Sequence, residues 1–146
     1  MKKPLVLYPL LFLHFMLGTS ALYGGWMLMT DPVAFGMNPA WLNDTLFGGY
    51  FLPGLILFVL LGLFPLFTFW GLLVQPAGRR AGIFNLYPER HWAWTYSLFS
   101  GLTVMIWLTV QMVFIPAFWL QPVFMTTGLL ILILTLWPSV MRHFLI

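Results

Sequence analysis

The side chains able to do chemistry in this chain are few, and most stand inside apolar runs, where a polar group is costly. His14 lies in the uncharged run from Pro4 to Met29. It is about ten residues in, hence roughly 15 Å deep at about 1.5 Å of helix rise per residue, near the middle of a bilayer. An imidazole there could serve as an axial ligand or accept a proton, or it could be a neutral group hydrogen-bonded between helices. No second ligand at a matching spacing accompanies it and no HExxH motif occurs, which favours the hydrogen-bonding role. Further on, Tyr96, Ser97, Ser100, Thr103, Trp107 and Gln111 fall within an arc of about 100° if the segment is wound as a helix. This polar seam is either glue between helices, at roughly 0.6 kcal/mol per hydrogen bond, or the lining of a pocket. Such a pocket would be closed on its outer side by Gln111 and Gln121 and would take a lipid-like or quinone-like molecule.

Other chemistries lack their residues. The three acids, Asp31, Asp44 and Glu89, all fall in polar connecting segments, whereas ion-coupled pumps place charged groups within their spans. A Ser-His-Asp set would have no acid inside the membrane, and the segment from Gly78 to Gly82 is too generic for a phosphate loop. Without cysteine there is no disulfide, thiolate nucleophile or iron–sulfur ligand. Six dispersed basic residues cannot build the cationic face that nucleic acid requires. The chain therefore reads as non-enzymatic, with neither a metal nor a cofactor specified.

The elements that must position these residues are apolar helices. Only 6% of residues are charged, against about 25% in soluble domains. Residues 1–146 read as a single transmembrane domain with spans predicted near 5–29, 48–74, 92–115 and 122–140. The first run exceeds the roughly 7–15 residues of a signal h-region, so it is read as a retained span. The second contains Pro53 and Pro65, each freeing a carbonyl that needs another partner. The link from Pro116 to Gln121 is short enough to make an antiparallel hairpin of the last two spans. Lys2, Lys3, Arg79, Arg80, Arg90 and Arg142 all fall on the side of the termini and second loop. The positive-inside rule then predicts an up-down-up-down four-helix bundle in the inner (plasma) membrane, with both termini cytoplasmic.

Helix phase also predicts packing. His14, Gly18, Ala21 and Gly25 share one face of the first span, and small residues let helices approach closely in lipid. Gly54 supplies a small site in the second span. The Ser20/Gly24 and Ser97/Gly101 pairs offer further small-xxx-small faces for contacts outside the chain. Asp44 is expected to cap the second helix and Asp31 the turn leaving the first. Two functions fit. One is an accessory subunit or packing partner in a larger membrane complex, through other subunits or self-association. The other is a carrier for a small hydrophobic molecule held between the His14 face and the polar seam, with membrane lipids as the common surroundings.

Several segments together resemble an uncharacterised family of small four-span bacterial membrane proteins. They are Leu17-Gly18 with Gly24-Gly25, Asp31-Pro32, the run from Tyr50 to Leu57, the run from Ile106 to Gln111, and Leu120-Gln121-Pro122. The resemblance implies a fold and a bacterial origin, and no activity. Where this chain has Gln111, the family pattern often has Glu, and the neutral residue weakens a proton-relay role.

Overall fold

The computed structural model describes residues 3–31, 51–76, 82–114 and 120–145, which are mostly helical with no strand among them. The expectations for Asp44, Arg79 and Arg80 lie outside the described residues.

Helix α1 spans Leu7–Thr30. Pro9 sits in its first turn, where its missing N–H has no partner to lose. The helix stops at Asp31 because Pro32 disfavours helical angles in the residue before it; Asp31 adopts φ −154° and ψ 71° and donates its N–H to Met27 O at 2.7 Å.

The second apolar run folds as three consecutive pieces: α2 (Phe51–Ile56), a π-helical segment (Leu57–Leu63) and α3 (Phe64–Val74). The backbone widens by one residue just ahead of Pro65. Phe64 N–H, immediately before the proline, reaches back five residues to Val59 O. Gln75 ends α3 in the left-handed conformation at φ 50°, its N–H bonded to Gly71 O at 2.8 Å, with Pro76 preventing continuation.

Helix α4 covers Trp92–Phe114, and α5 covers Leu120–Thr135. The expected fourth run to residue 140 is interrupted. Pro138 forces Trp137 to an extended ψ of 135°, so the chain breaks after Thr135 and restarts as the short helix α6, Pro138–His143. Among the described residues three helices are long and apolar: Leu7–Thr30, Phe51–Val74 and Trp92–Val113, of 24, 24 and 22 residues. At about 1.5 Å per residue each exceeds the roughly 30 Å of a bilayer's hydrocarbon core.

Helix α1 packs along α2, the π-helical segment and α3; α3 packs on α4, α4 on α5, and α5 returns to α1. Leu10, Leu17, Leu61, Leu72, Val104 and Ile131 fill the enclosed space. Tyr8, Phe12, Phe15, Tyr23 and Trp26 are exposed on α1. Glycines bring backbone close to backbone. A methyl group placed on Gly25 would lie 2.7 Å from both Gly54 O and Phe58 N, and one on Gly101 would lie 3.0 Å from Gly128 O.

Candidate functional site

The polar residues of α1, α4 and α5 converge on Ser97. His14 Nε2 lies 2.8 Å from Ser97 Oγ, and Ser97 Oγ lies 2.6 Å from Thr135 Oγ1. Thr135 Oγ1 donates to Ile131 O at 2.6 Å. A hydroxyl has one proton, so the last bond fixes the direction of the others. Thr135 spends its hydrogen on Ile131, Ser97 must donate to Thr135, and His14 must donate from Nε2 to Ser97. The imidazole is thereby held as the Nε2–H tautomer, with Nδ1 buried and, among the described residues, without a hydrogen-bond partner. Trp94 Nε1 donates to the Thr135 carbonyl at 2.8 Å, satisfying an acceptor left over at the end of α5. His14, Ser97 and Thr135 are all fully buried.

This node lies nearer the helix ends than the middle. Thr135 is the last residue of α5, and Ser97 is in the second turn of α4. Sequence depth placed His14 near the bilayer centre because it counted from Pro4; the helix begins three residues later, and the partners sit at helix termini.

The remaining residues of the seam do not gather at one point. Ser100 is buried and bonds Tyr96 O in its own helix at 2.9 Å. Thr103 and Gln111 are half-buried, Trp107 is buried, and Gln121 is buried in the first turn of α5. Ser97 and Gln111 stand about 21 Å apart along α4 at about 1.5 Å per residue. His14 and Ser97 touch directly, leaving no space for a molecule between those two side chains. Gly18, Ala21 and Gly25 are buried, Gly18 against Leu66 and Gly62 O, and Gly25 against Gly54. Ser97 and Gly101, offered by the sequence for outside contacts, are used internally against α5.

Sequence reasoning missed Thr135 and Trp94. A lone threonine closing an apolar run was the available signal for the first, and nothing in the sequence singled out Trp94. Also missed was the polar knot where residues 82–91 meet the chain's end. Asn85 Nδ2 donates to Arg90 O at 3.0 Å, and its Oδ1 accepts from Tyr87 N–H at 3.0 Å and from the Thr95 hydroxyl. Arg90 Nε donates to Met141 O at 3.3 Å while its guanidinium lies 5.0 Å from the Trp94 ring centre. His91 Nδ1 accepts from Ala93 N–H at 3.1 Å, so its Nε2 carries the proton and donates to Pro76 O at 3.0 Å.

Beside this knot is an open groove of about 650 Å³, walled by Phe64 and Phe67 of α3, Tyr96 and Phe99 of α4, and Ile83, Phe84 and Leu86 of the connecting segment. Its rings are organised. Tyr96 and Phe99 stack at 6.2 Å between centres, and Phe67 stacks on Trp92 at 5.1 Å. A smaller pocket of about 310 Å³ lies between Lys3, the end of α3 and His143. His143 Nε2 accepts from Gln75 Nε2 at 2.6 Å. Burial, together with the Lys3 cation, holds the His143 pKa below its ordinary value.

No family model matches the chain, and neither the curated proteins nor the solved structures contain one similar to it.

Proposed function

We propose that this chain is a multi-pass protein of the inner membrane, with four spans running up-down-up-down and both termini cytoplasmic. It acts without chemistry, as a packing partner within a larger membrane assembly. The observation carrying this reading is the exposure of Ile83, Phe84 and Leu86, at 74%, 69% and 72%. Exposed apolar residues on a span are covered by lipid tails, but these three belong to the connecting segment that holds Arg90, where tails do not account for them. A hydrophobic surface between basic residues calls for another protein's face. Extraction in mild detergent followed by native-gel mass measurement tests this: the assembly should exceed one 16.8 kDa chain plus its micelle, and replacing all three residues with Ser should reduce it to that. A lone chain in both cases refutes the reading. Cysteines introduced at Asn43 and Gly82 test the orientation, the first reacting with an impermeant maleimide from outside and the second remaining protected.

The aromatic groove favours a second reading, a carrier for a small lipid-like or quinone-like molecule. Its volume of about 650 Å³ falls in the roughly 300–1,000 Å³ range of small-molecule sites. Native mass spectrometry of gently purified protein would show one bound species beyond bulk phospholipid, lost on Phe99→Ala; lipid in proportion to membrane composition would refute it.

A further inference from the structure

We propose that the smaller pocket, between the start of the chain, the end of α3 and α6, binds the phosphodiester of an anionic phospholipid. This goes beyond the packing-partner reading and rests on different residues. The pocket holds about 310 Å³ and is lined by Lys3, Leu73, Val74, Gln75, His143 and Leu145. Its polar members are suited to an anion: a lysine ammonium, an amide that donates from nitrogen, and an imidazole. Because Gln75 donates to His143 Nε2, the neutral ring carries its proton on Nδ1, and none of the described residues lining the pocket is acidic.

Among the described residues, the groups facing His143 are Gln75 from the end of α3 and Lys3 from the start of the chain; Arg142 is the charged neighbour on its own helix. No acidic side chain among the described residues lines the pocket to balance this positive charge. Lys3 also lies by the C-terminal end of α3, where the helix dipole favours a cation. The apolar walls choose among anions. Leu73, Val74 and Leu145 are exposed, and Leu73 and Val74 end a membrane-length helix. A ligand that puts a phosphate against Lys3 and hydrocarbon against these walls matches both halves, as free phosphate does not.

The test uses the full chain in a neutral detergent, with native mass spectrometry of lipid bound from an equimolar mixture of phosphatidylglycerol and phosphatidylcholine of equal chain length. Phosphatidylglycerol should be preferred about fivefold, the factor one cation near an anionic surface supplies. Lys3→Gln should bring the ratio to parity, whereas Arg142→Gln, which alters an exposed cation outside the pocket, should preserve the preference. In parallel, the His143 ring signal, assigned with His143→Gln, should titrate at higher pH when phosphatidylglycerol is added, because a bound anion favours the imidazolium. Equal retention of the two lipids by the parent chain, or equal loss of preference in both variants, overturns the proposal. So does an equal shift of His143 with millimolar inorganic phosphate, which would assign the pocket to a soluble anion.

Discussion

The two faces of α1 are held by opposite means. Toward the second span, contact is made by what is missing: Gly25 and Gly54 bring backbones together with no side chain between them. Toward α4 and α5, contact is made by a directed relay from His14 through Ser97 to Thr135. In lipid neither can rely on expelling water, since the surrounding tails are as apolar as leucine. The first interface is specified by shape, and an added atom breaks it. The second is specified by proton inventory, and a removed atom breaks it.

Substitutions should separate the two. The largest effect is expected for Gly25→Ala, because the new methyl meets backbone atoms that cannot swing away; a loss of about 3 kcal/mol is anticipated in unfolding titrations in mixed micelles. Gly18→Ala meets mainly the movable Leu66 side chain and should lose less than half of that. Equal losses would show that backbone approach does not define this face. Next is Ser97→Ala, at about 2 kcal/mol, because it strands a buried His14 donor and a Thr135 acceptor at once. Combining it with His14→Leu should cost less than the sum of the two single changes, and strict additivity would contradict the relay. Trp94→Phe frees the Thr135 carbonyl and shrinks the ring beneath the Arg90 guanidinium, and should cost about 1 kcal/mol by the same titration.

The smallest effect is a pH dependence from His143. Its pKa in the fold is below the ordinary 6.5, so the fold favours the neutral ring. That contribution is complete above pH 6.5 and is lost as pH falls through the lower folded value. Melting in detergent should weaken on acidification in the parent and weaken less in His143→Gln; identical profiles would remove His143 as the cause.

These contrasts also mark where sequence reading succeeds. The three long apolar helices and the inward face of α1 follow from hydropathy and from residues spaced three and four apart, which are properties of one helix. Thr135 and Trp94 escaped because a hydrogen bond between helices depends on which element comes alongside, and periodicity within one segment carries no such information. The break at Trp137 was within reach, since the residue before a proline resists helical angles. The uncharged, largely apolar character of residues 122–136 masked it. The groove was hidden for the same reason as the node: three separate segments build it.

The widened turn at Leu57–Leu63 changes how the two longest spans are counted against each other. Gly18 abuts Gly62 and Leu66, while Gly25 abuts Gly54 and Phe58. Seven steps along α1 thus correspond to eight along its neighbour. The π-helical segment acts as a vernier, absorbing one surplus residue so that glycine still meets glycine at the far end. A chain one residue shorter within Leu57–Leu63 could run as plain α-helix and keep both contacts in phase. The same deletion in α3 would move Leu66 or Gly71 by about 100° around the helix relative to its partner. The span therefore has one place where its length is negotiable.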